Sequence, residues 1–201
     1  MLKLAITGNI ACGKNTVGDY LQKLGYAVID SDLIVHEILA SQNEISEKLV
    51  QIASPENILA EEKNNYISRL KLGKLLFSNI NLKKQAETLL HPVVQYQTFE
   101  FFKKQKSLGA SMAANLIPLL FEIKAQAFYD YNWLIYCKPE IQKQRLEKRN
   151  PNLSLEEISA RINSQMPQEA KRKLANYIID NSDSLQYTYS QIEVGLKDLC
   201  L

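Results

Sequence analysis

The chain has 201 residues, of which 46% are hydrophobic, and this is enough to bury the core of one ordinary domain. Charged residues make up 23% and the formal net charge is only +2, which excludes a polybasic tail for nucleic acid or a membrane surface. The three cysteines, Cys12, Cys137 and Cys200, are odd in number and far apart, so they fit reduced thiols better than a disulfide framework. The first apolar run, residues 1–7, is too short for a signal peptide. We therefore expect a cytoplasmic protein that binds neither nucleic acid nor a membrane.

Five short apolar runs predict buried strands, and the segments between them have helical spacing. The predicted strands are Leu2–Thr7, Ala27–Asp30, Met112–Leu116, Trp133–Cys137 and Tyr177–Ile179. Strands that alternate with helices form a mostly parallel sheet with helices on both faces. The predicted fold class is therefore α/β, with a five-stranded parallel sheet flanked by helices.

Helix signals mark the segments between these strands. Gly25 follows the first helical pattern as a C-terminal cap, and Pro92 favours the first turn of a later helix. Ser154–Glu157 is a capping box that opens another helix, which we expect to carry Met166 on its apolar side. Residues 44–107 show helical patterns without a clear strand. We interpret that region as a helical insertion between two strands of the sheet.

The segment between the first strand and the first helix matches the G-x-x-x-x-G-K pattern of a phosphate-binding loop. Its glycines let backbone amides curl around an anion, the helix N-terminus adds partial positive charge, and Lys14 supplies a cation for the β and γ phosphates. The alternative is a glycine-rich turn that caps an ordinary helix. Because the strand before and the helix after are predicted independently, we expect the loop to bind ATP. The predicted ATP-binding residues here are Gly8, Ala11, Cys12, Gly13, Lys14, Asn15 and Thr16, with Lys14 also catalytic.

Asn15 departs from this pattern, since a Ser or Thr that binds Mg²⁺ normally follows the lysine. The oxygen of an Asn carboxamide is also a hard, neutral ligand. We therefore predict that Asn15 binds Mg²⁺, directly or through water. The alternatives are a loop with weakened metal binding, or a module that binds ATP without catalysis.

Two carboxylates, Asp30 and Asp32, follow the second predicted strand. In a parallel sheet this strand end lies on the edge that also carries the phosphate loop, so we expect both to face the phosphates. One carboxylate there can orient and deprotonate an acceptor hydroxyl, while another can contact Mg²⁺. We predict both as catalytic and Asp32 also as an acceptor and metal contact, and which of the two is the base stays open. The alternative for Asp32 is an N-cap of the next helix.

Further segments, together with the phosphate loop, resemble dephospho-coenzyme A kinases in their order and spacing. The most specific are Leu119–Glu122, which reads Leu-Leu-Phe-Glu, and Ser164–Pro167, which reads Ser-Gln-Met-Pro. The resemblance implies a transferase that moves the ATP γ-phosphate to the ribose 3′-hydroxyl of dephospho-coenzyme A, the last step of coenzyme A biosynthesis. A kinase for another small acceptor, such as a nucleoside monophosphate or shikimate, is the alternative. A switch-type GTPase is disfavoured, because the sequence contains neither Asn-Lys-x-Asp nor Asp-x-x-Gly.

The resemblance also implies a P-loop kinase architecture for a single domain of residues 1–201. Its parts would be a core of about residues 1–43, 108–138 and 174–201, a helical substrate-binding insertion of about residues 44–107, and an arginine-bearing lid of about residues 139–173. We expect a monomer, with a small homo-oligomer as the alternative.

Several polar residues outside the loop are site candidates under this resemblance. Arg145 and Arg149 lie four apart on one predicted helix face, so they would clamp ATP phosphates, with Arg145 also catalytic. The substrate candidates are Arg69, His91, Glu122 and Arg161, and Asn181 is a candidate adenine contact. For Arg69 and the lid arginines the alternative is a solvated surface, for His91 a turn or helix start, and for Glu122 an exposed acid at a helix start. We expect Lys171, Arg172 and Lys173 to be surface charges.

Overall fold

In a computed structural model of the protein, the described residues are 1–54, 58–60 and 66–199, so Cys200 lies outside them. The strands form one five-stranded sheet in the order β2-β3-β1-β4-β5. Their bounds are β1 (Leu2–Gly8), β2 (Ala27–Asp30), β3 (Met112–Leu116), β4 (Tyr131–Tyr136) and β5 (Tyr177–Asp180). β1 pairs in parallel with β3 and β4, and β4 pairs in parallel with β5. The predicted parallel sheet is confirmed.

Helices connect these strands. Among the described residues, those with full bounds are α1 (Lys14–Lys23), α2 (Ser31–Ala40), α3 (Glu44–Ala53), α4 (Arg69–Ser78), α5 (Ile80–Ser107), α6 (Pro139–Arg149), α7 (Leu155–Asn163), α8 (Gln168–Arg172) and α9 (Leu185–Asp198), with a short 3-10 helix at Ala125–Phe128. Within the described residues, no helix is both long and apolar enough to cross a membrane. The chain divides into two compact units, residues 1–29 with 102–201 and residues 30–101. The predicted division into core, substrate region and lid stays a prediction.

The core of the first unit follows the alternation of side chains along β1. Leu4 and Ile6 point to one face of the sheet, where they pack with Val17 of α1 and Ile192 of α9. Ala5 points to the opposite face and packs with a cluster that includes Leu120 and Phe121. Both faces of the central strand are therefore dry, which fixes the strand that leads into the phosphate loop.

The second unit is helical, as the sequence predicts for residues 44–107. Its described part contains α2, α3, α4 and most of α5, together with one isolated antiparallel bridge between Leu59 and Ile67. The prediction that Pro92 starts a helix is wrong, because Pro92 lies inside α5. Leu82, Ala86 and Leu90, spaced by four residues before it, are at most 9% exposed. This buried stripe extends the helix in front of the proline and offsets a cost of about 3 kcal/mol.

In the first unit, the ends of α1 and α7 can be compared with the predictions for Gly25 and Met166. Gly25 has φ 89° and its N–H donates to the carbonyl of Gln22, as predicted for the cap of α1. The prediction for Met166 is wrong, because α7 ends at Asn163 and Met166 lies in the connection to α8. The backbone N–H of Met166 donates to Glu122 and its carbonyl accepts from Asn9, so neither group is available to extend the helix.

Candidate active site

The phosphate loop lies between β1 and α1, as the sequence predicts. Ala11 and Gly13 have φ values of 64° and 93°, which turn the backbone sharply before the first helical residue, Lys14. Glycine tolerates this left-handed conformation, whereas at Ala11 it costs about 1–3 kcal/mol. The turn leaves the N–H groups of the first turn of α1 at the mouth of the loop, where an anion binds favourably.

Asn181, which follows β5, supports this loop from behind. Its Nδ2 donates to the carbonyl of Cys12 at 2.8 Å, and its Oδ1 accepts from Thr188 Oγ1 at 2.8 Å. A Cβ at Gly13 would lie 2.0 Å from Asn181 Nδ2, so only glycine fits there. Asn181 is 3% exposed. The structure assigns its side chain to loop support, and its contact with adenine stays a prediction.

Lys14 and Asn15 are the polar side chains at the start of α1. Lys14 is buried, and its Nζ donates to Asn15 Oδ1 at 3.4 Å. Asn15 is exposed and Thr16 half-buried. The amide oxygen of Asn15 already faces a cation, which is the chemistry that a Mg²⁺ ligand needs. Across the part of the chain that the structure describes, no three His, Cys, Asp or Glu side chains form a metal-binding group.

A connection near the start of α8 holds the outer part of the loop. The backbone N–H of Ile10 donates to Gln165 Oε1 at 2.7 Å, and its carbonyl accepts from Gln142 Nε2 of α6 at 2.9 Å. Asn9 Nδ2 donates to the carbonyl of Met166 at 3.0 Å. Both polar groups of the Ile10 backbone are therefore bound by glutamine side chains from beyond β4.

Sequence reasoning missed these glutamines as site residues. Gln165 belongs to the Ser-Gln-Met-Pro segment, but the resemblance gives it no role. Gln142 lies four residues before Leu146, and both are buried on the same side of α6. That spacing was the available signal, although a glutamine next to a lysine ordinarily indicates a solvated face.

Glu122, whose side chain is 21% exposed, forms an ion pair with the buried Lys171 at 2.8 Å, and Lys171 Nζ also donates to the carbonyl of Pro118 at 3.0 Å. The prediction that Lys171 is a surface charge is wrong, since it is 0% exposed. It lies three residues after Gln168 on the buried side of α8. Glu122 Oε1 also accepts from the N–H of Met166 at 3.0 Å, so the carboxylate orders the connection that binds the loop. Whether Glu122 also contacts the substrate stays a prediction.

Two buried thiols meet at the loop, because Sγ of the loop residue Cys12 lies 3.2 Å from Cys137 Sγ. The hydrogen bond with Cys137, together with burial, raises the pKa of Cys12, so Cys12 keeps its proton. The pKa of Cys137 is lowered, first by its hydrogen bond with Cys12 and further by the guanidinium of Arg145. The guanidinium of Arg145 therefore acts electrostatically on both thiols.

The other two predicted lid arginines are Arg149 and Arg161. Arg149 is exposed at the end of α6, and Arg161 is half-buried in the last turn of α7, where the sequence predicts it. Of the predicted lid cations, Arg145 is the one whose charge acts on the thiols of Cys12 and Cys137. The roles of Arg149 and Arg161 toward ligands stay predictions.

The remaining candidates belong to the second unit. Asp30 is the N-cap of α2, and its Oδ1 accepts from the N–H of Asp32 at 2.8 Å, so the capping role considered for Asp32 falls to its neighbour. Asp32 lies in the first turn of α2 with an exposed side chain. Arg69 is the exposed first residue of α4, and His91 is half-buried inside α5 rather than at a turn or helix start.

A parallel sheet in this strand order, with a phosphate loop between β1 and α1, is the architecture of a P-loop kinase. The model of the dephospho-CoA kinase family, CoaE, matches residues 2–186. The chain belongs to the dephospho-CoA kinase family.

Individual dephospho-CoA kinases are similar in sequence to this chain over almost its whole length. A dephospho-CoA kinase of Carboxydothermus hydrogenoformans is 40% identical over 94% of this chain and 90% of its own length, and one of Bacillus cereus is 35% identical over 97% and 96%. Among solved structures, the dephospho-CoA kinase of Campylobacter jejuni is 30% identical with a TM-score of 0.70, covering 98% of this chain and 96% of that one. A Thermus thermophilus protein is 32% identical with a TM-score of 0.81, covering 98% and 97%. A shikimate kinase of Bacteroides thetaiotaomicron, 14% identical with a TM-score of 0.54 over 100% and 99%, shares the fold.

Proposed function

We propose that this chain transfers the γ-phosphate of ATP to the 3′-hydroxyl of dephospho-coenzyme A. The observation that carries the proposal is family membership over residues 2–186 in a chain whose phosphate loop keeps both glycines and Lys14. Phosphoryl transfer depends mainly on positioning and on stabilising charge over the transferring group. A loop of fixed backbone amides with a buried lysine at its end supplies both.

The ATP side of the reaction rests on residues of the first unit. The N-terminus of α1 and the Nζ of Lys14 would bind the β and γ phosphates, and Arg145 would offset charge that develops during transfer. The support for Arg145 is its electrostatic reach to Cys12, a residue of the loop itself. Arg149 would add a second guanidinium from the same helix face, four residues further on.

The acceptor side rests on Asp32, which we propose as the residue that orients and deprotonates the ribose hydroxyl. Asp30 Oδ1 is already engaged with the N–H of Asp32, in the manner of a helix cap. A capping carboxylate is held in place for stability, whereas the exposed side chain of Asp32 is accessible to an acceptor. We further propose that Arg69, His91, Glu122 and Arg161 contact the coenzyme.

Mg²⁺ is implied by the family chemistry, and Asn15 fits a role in holding it. Mg²⁺ usually keeps several waters and takes one or two protein oxygens beside the phosphates of its nucleotide, so no cluster of acidic side chains is required. Asn15 is an exposed residue whose amide oxygen lies beside Lys14 Nζ, and Asp32 would contact the ion or its waters. When bound, the ion supplies charge neutralisation at the β and γ phosphates.

The state of two cysteines supports a proposal for the cell compartment. Cys12 and Cys137 are free thiols although their sulfur atoms are 3.2 Å apart, which suits a reducing environment. We propose a cytoplasmic enzyme that acts as a monomer.

The deciding experiment is an ATP-to-ADP assay with dephospho-coenzyme A, followed by mass detection of a product heavier by one phosphoryl group. Shikimate and a nucleoside monophosphate serve as competing acceptors, and Lys14→Ala should abolish product formation. Turnover with either competitor and none with dephospho-coenzyme A would overturn the proposal. Tight ATP binding without transfer to any acceptor would favour a non-catalytic module instead.

A further inference from the structure

The side chain of Gln168, at the start of α8, is 9% exposed and has a complete set of hydrogen bonds. Its Oε1 accepts from the backbone N–H of Cys137 and from Cys12 Sγ, each at 3.2 Å. Its Nε2 donates to the carbonyl of Cys137 at 3.0 Å and to Gln142 Oε1 at 3.1 Å. A primary amide has two N–H donors and two acceptor lone pairs, so each is used here.

These bonds connect the end of β4 to the phosphate loop by two routes. One route is direct, through the thiol of Cys12. The other passes through Gln142, whose Nε2 holds the carbonyl of Ile10 at 2.9 Å. Ile10 and Cys12 are the two neighbours of Ala11, the loop residue held at φ 64°.

We propose that Gln168 is a positioning residue for the kinase reaction, which fixes the strained Ala11 turn so that the loop is preformed for ATP phosphates, with Gln142 as its second arm. The inference deepens the proposed function and rests on it. A non-glycine residue leaves the left-handed conformation unless its surroundings hold it. Gln168 and Gln142 hold the residues on either side of that turn, and both act through the loop rather than on the nucleotide.

A substitution that removes the hydrogen bonds of Gln168 but keeps its volume separates the positioning role from simple packing. Methionine has nearly the volume of glutamine, so Gln168→Met keeps the core filled, but it leaves the N–H and carbonyl of Cys137 and the Oε1 of Gln142 without this partner. The loop then spends less time in the preformed state. Apparent ATP affinity falls in proportion to the preformed fraction, while turnover at saturating ATP changes little.

The test measures KM for ATP, kcat and, separately, the Kd of ATP by calorimetry without acceptor. We expect Gln168→Met to raise KM and Kd for ATP about 10-fold, because the fraction of molecules with a preformed loop falls to about one tenth. The kcat should stay within about 2-fold of the wild-type value. Gln142→Met breaks one arm and should raise both by about 3-fold. Gln144→Met, an exposed glutamine on the same helix α6, should leave KM and Kd unchanged.

The calorimetric measurement needs no acceptor, so it tests the loop even if dephospho-coenzyme A proves to be the wrong substrate. A purely structural role would lower the melting temperature and the active fraction, and hence apparent kcat, with KM and Kd at wild-type values. That result for Gln168→Met overturns the proposal. If Gln168→Met does not fold, Gln142→Met decides, because it leaves the bonds of Gln168 to Cys12 and Cys137 in place, and unchanged ATP affinity in it also overturns the proposal.

Discussion

Replacing Lys171 by methionine should destabilise the protein by about 3–5 kcal/mol, because it leaves the carboxylate of Glu122 largely buried without its cation. Lys171 is 0% exposed, and its ammonium makes a 2.8 Å ion pair with Glu122 and a 3.0 Å hydrogen bond to the carbonyl of Pro118. For a chain of this size, each kcal/mol lowers the melting temperature by about 2–4 °C. The expected drop is therefore roughly 6–20 °C.

Urea denaturation followed by circular dichroism measures this change, and Lys173→Met is the matched control. Lys173 is an exposed lysine two residues further on, so its substitution should change stability by no more than about 0.5 kcal/mol. The double variant Lys171→Met with Glu122→Gln should recover part of the loss. Its amide is neutral and still accepts from the N–H of Met166.

Two outcomes would refute the reasoning about this ion pair. The first is a loss below about 1 kcal/mol in Lys171→Met, which is the size of an ordinary substitution. The second is a double variant that is less stable than Lys171→Met alone. Either result would mean that the charge of Glu122 is solvated without Lys171.

Three further predictions concern single residues. Asp32→Asn should lower kcat by about 10²–10⁴-fold with KM for ATP near its wild-type value, and a steady-state assay that shows equal effects on both would exclude a role as the base. Asn15→Ser should lower the Mg²⁺ concentration that gives half-maximal activity, and an unchanged Mg²⁺ titration would exclude Asn15 as a ligand. The pKa of Tyr129 is raised, chiefly by burial, so the stability linked to its neutral phenol is present below about pH 10 and is lost as pH rises through the folded-state pKa. Tyr129→Phe should therefore weaken the alkaline fall in stability, as measured by denaturation at a series of pH values, and an identical fall in both proteins would contradict this.

The strands and the phosphate loop were predictable because their signals are local. The run from Leu2 to Thr7 is apolar at Leu2 and over Leu4–Ile6, and the buried part of β1 lies between helices on both faces of a parallel sheet. The left-handed turn at Gly13 needs a glycine, which the sequence displays directly. Such features depend on neighbours in the chain, so a linear pattern records them.

The support of the loop was not predictable in the same way, because it depends on partners far apart in sequence. Gln142 meets Ile10 across 132 positions, and Lys171 meets Pro118 across 53. The sequence around Lys171 does not indicate that its ammonium pairs with the carboxylate of Glu122. The prediction for Pro92 was wrong for a related reason. Packing of the buried helical stripe before it outweighs the preference of proline for the first turn of a helix.

The link between Asn181 and Cys12 has a consequence for how the protein is made. Translation delivers residues 8–16 early, yet the carbonyl of Cys12 receives its partner only when Asn181 has been synthesised, and Asn181 in turn is held by Thr188 of α9. The emerging polypeptide therefore carries an incomplete nucleotide-binding loop until the 169 positions between Cys12 and Asn181 have been translated. A premature stop after residue 16 and before residue 181 leaves a fragment that contains the whole loop motif but lacks the side chain that holds it in shape.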